Sequence, residues 1–186
     1  SPESQSVEPQ LAFARERCVG CGTCVDVCPQ DVHQITRDGR HALARERCLA
    51  CGRCAEVCAT GALTIKGYTI AAQEIVERAR RLKPFFDSSG GGVTLTGGEV
   101  TMQSEFAVAI LEGCRQAGIH TAVETCGACT WQRLEALLEH TDLLLYDLKL
   151  IDDAEHRCWT GGSNRQILDN ASRLKGRNVQ VRVPLI

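Results

Sequence analysis

ERCVGCGTCVDVCPQDV, residues 16–32, recurs thirty residues later as ERCLACGRCAEVCATGA, residues 46–62. Each copy spaces its cysteines C-x2-C-x2-C-x3-C: Cys18, Cys21, Cys24 and Cys28 in the first, Cys48, Cys51, Cys54 and Cys58 in the second. Three thiolates at that spacing reach three corners of one iron–sulfur cubane from a single tight loop. Gly20, Gly22 and Gly52 let the backbone curl around it and offer N–H groups to its sulfides. The fourth cysteine of each run is expected to begin a short helix and to reach the other cluster. On that rule Cys18, Cys21, Cys24 and Cys58 hold one [4Fe-4S] cluster, and Cys48, Cys51, Cys54 and Cys28 hold the other.

Between the copies, Asp38-Gly39 marks a hairpin turn, so the repeat predicts a two-fold symmetric, ferredoxin-like module of roughly fifty residues whose bare function is one-electron transfer. C-x2-C also serves zinc. Two complete four-cysteine runs, each followed by an apolar stretch (Val32 to Ile35, Ala62 to Ile65), argue against a pair of zinc knuckles. Pro29 follows the first run, whereas Ala59 follows the second, a change that removes no ligand.

The chain has 186 residues, 12 of them cysteine, and eight of those fall in the two runs rather than scattered as in a disulfide scaffold. Thiolate clusters and unpaired cysteines fit a reducing cytoplasm. A net charge of -2 leaves no electrostatic footprint for nucleic acid. No apolar run spans a bilayer, and the first ten residues lack the features of a signal peptide, so neither nucleic acid nor membrane is expected as a partner.

Beyond Gly67 the pattern becomes one of alternating helices and strands. Thr69 is placed to cap a helix from Ile70 to about Leu82. A strand follows at Val93 to Thr96, then a helix over Glu105 to Ala117, strand His120 to Thr125 and helix Trp131 to Glu139. Strand Leu143 to Leu148, helix Asn164 to Lys175 and strand Val179 to Leu185 complete the pass. This alternation implies α/β architecture with a parallel sheet, open or closed into a barrel. Glu99, Glu124, Asp147, Lys149 and Arg182 then fall at or just past the carboxyl ends of four successive strands, the edge where such sheets bind ligands. Gly97-Gly98-Glu99 combines bare backbone N–H groups with a carboxylate and would suit a ligand bearing both an ammonium and a carboxylate.

Together these residues resemble the glycyl radical enzyme activating enzymes of the radical S-adenosylmethionine (SAM) superfamily. The resemblance rests on the two-cluster insert, Gly97-Gly98-Glu99, Glu124-Thr125-Cys126-Gly127, Asp147-Leu148-Lys149, His156-Arg157 with Thr160-Gly161, Asn164, and Arg182-Val183-Pro184-Leu185-Ile186. It implies a partial (β/α)6 barrel over residues 68–186, with the ferredoxin-like module inserted at 15–67 and an N-terminal segment, 1–14, ahead of it. It also implies that Gly97, Gly98 and Glu99 contact the SAM amino group, and that Asp147, Lys149 and Arg182 contact SAM. Glu124, Thr125 and Asp147 would place a monovalent cation beside the SAM carboxylate. Val100 departs from the family's GGEP.

The family's C-x3-C-x2-C loop, which holds a third [4Fe-4S] cluster, does not occur here. Ser1-Pro2-Glu3-Ser4-Gln5 resembles the NPESQ stretch that follows that loop, and the family continues past Val-Pro-Leu-Ile. The sequence is therefore expected to be an internal fragment. The third cluster, a glycyl radical enzyme as protein substrate and a flavodoxin or ferredoxin-like electron donor are expected of the full-length protein. The alternatives are a ferredoxin-type electron-transfer protein fused to an α/β domain without SAM chemistry, and a docking scaffold with structural clusters.

Cys126 and Cys129 form a C-x2-C, but Cys126 matches the variable residue of the family's ETxG strand end. Cys129, Cys114 and Cys158 are expected as small core residues. The five histidines show no paired spacing and get no ligand role. Asp152-Asp153 is expected to be solvated loop charge.

Overall fold

The structure, a computed structural model, describes residues 7–183. The Ser1 to Gln5 stretch and Pro184 to Ile186, which carry two of the resemblances, lie outside the described residues. The chain divides into two compact units between Thr69 and Ile70.

The first unit holds two antiparallel ribbons: β1 (Gln10–Phe13) pairs with β4 (Leu63–Lys66), and β2 (His33–Ile35) pairs with β3 (His41–Leu43) around the Asp38-Gly39 turn. The pairing of β1 carries the module back to Gln10, ahead of a boundary at residue 15. Short helices α1 (Thr23–Asp26) and α2 (Arg53–Glu56) lie inside the two cysteine runs. They begin after Gly22 and Gly52, whose left-handed backbone turns the chain into the helix. The third cysteines, Cys24 and Cys54, therefore sit on the helices, and the fourth, Cys28 and Cys58, follow their ends instead of starting them.

The second unit carries a four-stranded, all-parallel sheet in the order β5 (Gly92–Leu95), β6 (His120–Thr125), β7 (Leu143–Asp147) and β8 (Val179–Arg182). Helices connect consecutive strands: α4 (Ser104–Gln116), α5 (Trp131–Leu138), then α6 (Asp153–Thr160) and α7 (Arg165–Arg173) between β7 and β8, with α3 (Ala72–Ser89) before β5. This is the β/α alternation expected of a partial barrel. Its largest core cluster joins Leu111, Val123, Leu134, Leu137, Leu144, Tyr146 and Ile167; a second joins Val76, Ala79, Ile110, Cys114 and Ile119.

Several expectations about the helices need correction. Helix α3 starts after Ala71 with no side-chain cap, so Thr69 does not cap it, and it continues through Pro84 to Gly90. Pro84 costs the helix one hydrogen bond, but Phe86 beyond it packs into the second core cluster, and the hydroxyls of Ser88 and Ser89 donate to the Phe85 carbonyl. Helix α6 was not legible in the sequence. Asp152 caps it by accepting from Glu155 N at 2.8 Å, and Asp153 accepts from Ser163 Oγ at 2.6 Å and from Asn164 N at 3.1 Å. The Asp152-Asp153 pair is thus structural, and α7 is correspondingly shorter than the helix read over Asn164 to Lys175.

Candidate functional site

The first unit brings its cysteines together in two crossed quartets. Cys18, Cys21, Cys24 and Cys58 line a cavity of about 230 Å³ that Phe13 and His41 also border. Cys28, Cys48, Cys51 and Cys54 line a second, tighter space of about 10 Å³, bordered by His33, which is room for about one water. The Thr23 hydroxyl lowers the Cys21 thiol's pKa. Burial pushes Cys58 up, but hydrogen bonds from the Leu63 backbone and the Thr60 hydroxyl outweigh it and leave the thiol below its ordinary value. Cys24 is raised, by burial and then by the charges of Cys21, Cys18 and Cys58. Cys54 is pushed to about 11 by burial and then chiefly by Cys48. Cys24 and Cys54, which resist ionising beside their neighbouring sulfurs, are donors that a soft, multiply charged cationic group satisfies. Both quartets fit an iron–sulfur cluster, the second only if its space opens on loading.

In the second unit the strand-end residues gather at one edge of the sheet. Glu99 follows β5 and opens a single 3-10 turn over Val100–Gln103, accepting from Thr101 N at 3.2 Å and Thr101 Oγ1 at 3.0 Å. Val100 takes the first helical position, where proline would also fit, so the departure from GGEP leaves the turn intact. From β6, Thr125 Oγ1 donates to the same carboxylate at 2.5 Å, Cys126 N at 3.2 Å and Cys126 Sγ at 3.1 Å. Burial pushes the Glu99 carboxyl up, but the donors from Thr125, Cys126 and Thr101 outweigh it and hold the group below the usual carboxylate range. Burial and the Glu99 charge push the Cys126 thiol to about 11, so Cys126 stays protonated and donates. It is not poised as a metal ligand. Cys114 is core, Cys129 is half-buried, and Cys158 is exposed, which corrects the expectation that Cys158 is a core residue.

Arg182 at the end of β8 bridges two carboxylates: its Nη1 lies 3.0 Å from Glu124 Oε2 and its Nε 3.8 Å from Asp147 Oδ1. The parallel register sets Asp147 opposite Arg182 and so produces the pairing. A guanidinium therefore stands between the carboxylates to which the resemblance assigns a monovalent cation. Thr125 faces Glu99 rather than that pair, its hydroxyl also accepting from Gly127 N at 2.9 Å. Gly97, Gly98 and Lys149 are exposed along the same edge.

Two residues that support this edge escaped sequence reading. Asn170 on α7, fully buried, donates to Gly127 O at 2.9 Å and to Cys129 O at 2.8 Å, pinning the loop after β6. Its signal was an amide on the apolar stripe that runs from Ile167 to Leu174. Tyr146 donates to Ile167 O at 2.7 Å and closes the space under Gly127, where an added Cβ would lie 2.0 Å from the Tyr146 hydroxyl. With φ at +69° as well, position 127 admits glycine alone. The loop after β7 is held similarly. Asn164 Nδ2 donates to Leu150 O at 2.8 Å and Ile151 O at 2.7 Å, and buried His156 bonds Gly162 O at 2.8 Å. The histidines are not all unpaired: His33 Nδ1 and His41 Nε2 lie 2.9 Å apart, both rings buried.

The profile of the Radical SAM superfamily matches residues 45–186, and that of the 4Fe-4S dicluster domain matches residues 17–62. The chain belongs to the Radical SAM superfamily, with iron–sulfur and SAM chemistry at the family level. Its relatives are activating enzymes. It is 43% identical over 190 residues to the choline trimethylamine-lyase activating enzyme of Oleidesulfovibrio alaskensis, covering 100% of this chain and 61% of that protein. It is 42% identical over 191 residues to the trans-4-hydroxy-L-proline dehydratase activating enzyme of Clostridioides difficile, covering 100% and 62%. A solved domain of pyruvate-formate lyase-activating enzyme from Bacteroides vulgatus is 37% identical at a TM-score of 0.49, over 52% of this chain and 61% of that one. The chain spans about three fifths of the length of the curated relatives it matches. Among the described residues, no helix is long and apolar enough to cross a membrane.

Proposed function

We propose that the intact protein is a glycyl-radical enzyme activating enzyme, acting in the cytoplasm on one protein substrate. The observation that carries this reading is the single sheet edge on which Glu99, Glu124, Asp147 and Arg182 converge, in a chain that also presents two cysteine quartets. When bound, the clusters and SAM supply a one-electron reduction of the sulfonium, giving methionine and a 5'-deoxyadenosyl radical that takes a hydrogen atom from a glycine of the partner enzyme.

Glu99 supplies a fixed negative charge for the methionyl ammonium, because donors from Thr101, Thr125 and Cys126 keep it ionised and immobile. Gly97 and Gly98 leave the backbone bare beside it. Glu124 and Asp147, only half neutralised by Arg182, keep one net negative charge for the cation that accompanies the SAM carboxylate, and Lys149 adds a positive charge at the rim. Cys18, Cys21, Cys24 and Cys58 hold one accessory cluster, and Cys48, Cys51, Cys54 and Cys28 hold the other. A flavodoxin or ferredoxin-like protein supplies the electron. A third cluster belongs to the full-length gene product.

Iron analysis and reductive SAM cleavage by that product test the proposal. About twelve irons per chain with formation of 5'-deoxyadenosine support it, while about eight with no cleavage overturn it, counting four irons per cubane. Unchanged SAM affinity in Glu99→Ala would remove Glu99 from the site.

A further inference from the structure

His33 and His41 join the two thiol quartets. The hairpin register pairs His33 with Leu43 and Ile35 with His41, so the two histidines lie diagonally on one face of the ribbon. Their rings stack at 5.0 Å with Nδ1 of His33 2.9 Å from Nε2 of His41, and they are 4% and 6% exposed. His41 borders the cavity of Cys18, Cys21, Cys24 and Cys58, whereas His33 borders that of Cys28, Cys48, Cys51 and Cys54. The outer nitrogens, His41 Nδ1 and His33 Nε2, are buried and have no hydrogen-bond partner.

Two neutral imidazoles share two protons. One is spent between the rings, so the pair has one free N–H at one end and one bare lone pair at the other. A buried donor without an acceptor is costly, and the acceptors that iron–sulfur clusters bring are anionic sulfurs, whose hydrogen bonds help set a cluster's potential. Cys24 Sγ lies within 4.8 Å of a ring nitrogen of each histidine, so a ligand sulfur of the quartet of Cys18, Cys21, Cys24 and Cys58 is in reach of the pair.

We propose that the His33–His41 pair is a hydrogen-bonded bridge between the two cluster sites, presenting an N–H to the cluster of Cys18, Cys21, Cys24 and Cys58 and a lone pair to the other. The two accessory clusters, near-identical in ligation, are thereby held at different potentials, which gives electron flow between them a direction. This rests on the crossed ligand sets proposed above. Both histidines are positioning residues and carry no electron themselves.

The test is a potentiometric titration, followed by electron paramagnetic resonance, of the chain reconstituted with iron and sulfide. Two cubanes with separated potentials are expected in the wild type. His41→Leu should lower the potential of one cluster by about 59 mV, a tenfold change in its one-electron equilibrium, and move the other much less. His41→Asn, which returns an N–H near Nδ1, should restore most of that separation. His33→Leu, which frees the His41 tautomer, should give a smaller shift of the same cluster and serves if His41→Leu fails to fold. Unchanged potentials in iron-replete variants would overturn the proposal, as would loss of iron from every variant, which would make the pair purely structural. One zinc bound through Cys24, His33 and His41 in place of a cubane would overturn it too. A wild type that cannot assemble two cubanes would instead refute the ligand sets.

Discussion

In the first unit the buried core cluster consists of Leu11, Cys54 and Leu63, one of them a candidate cluster ligand, whereas the second unit buries Leu111, Val123, Leu134, Leu137, Leu144 and Tyr146 in one cluster and five residues in another. Domains below about 70 residues seldom gain enough from a core alone and lean on metals. The thiols of Cys24 and Cys54, each raised by burial and then by the other cysteines of its own quartet, show the same dependence from the electrostatic side. The second unit needs no such staple. Cluster loading is therefore part of folding for one unit and incidental to the other.

The sharpest way to break this comparison is to remove the iron. Chelation under reducing conditions should unfold the first unit while leaving the second folded. Both tryptophans, Trp131 and Trp159, lie in the second unit, so their fluorescence should keep its native emission maximum while hydrogen exchange accelerates across residues 10–66. Concerted loss of both signals would sink the idea. Next in size, Leu134→Ala should destabilise the second unit by about 2–5 kcal/mol, read as a lower urea midpoint for tryptophan fluorescence with the cluster absorbance unmoved. Asn170→Ala should cost that unit about 1–3 kcal/mol by stranding the Gly127 and Cys129 carbonyls, with SAM affinity falling alongside if the loop after β6 positions Glu99.

A smaller effect appears with pH. Because the folded Glu99 carboxyl sits below its ordinary 4.5, its ionised form contributes stability that is complete above about pH 4.5 and is lost as pH falls through the lowered value. Acid titration of the second unit should show this decline, and Glu99→Gln should be less stable at neutral pH with a flatter acid limb. The smallest effect lies within the first unit. Ala50 adopts φ of 48°, the left-handed conformation that its repeat partner Gly20 takes at 68°. Ala50→Gly should slow iron loss through a gain of about 1 kcal/mol. Gly20→Ala should hasten it, since the new Cβ would lie 2.7 Å from the Gly39 carbonyl oxygen.

The cysteine quartets were legible because which four cysteines share a cavity follows from local spacing and one crossing rule. The strand ends were legible because each carries its own charged residue on an alternating pattern. What stayed hidden depends on contacts between distant residues or on local rules that compete. Asn170 reaches residues 127 and 129 from helix α7, more than forty residues along the chain. His33 and His41 meet only through the hairpin register, although histidines placed symmetrically about Asp38-Gly39 were a usable hint. Helix α6 was missed because Asp152 and Asp153 suit a solvated loop as well as they suit a helix start. Helix α3 outran its expected end because the packing of Phe86 offsets what Pro84 removes.

The guanidinium of Arg182 gives the strand-edge carboxylates a resident of their own. Any cation that comes to Glu124 and Asp147 enters as a competitor against a tethered rival already in contact with both. A tethered group acts at an effective concentration on the order of millimolar. Affinity at this edge is then a difference between two occupants, and freeing Arg182 to turn toward a ligand's carboxylate is the exchange that would make the cation and the ligand bind as a pair.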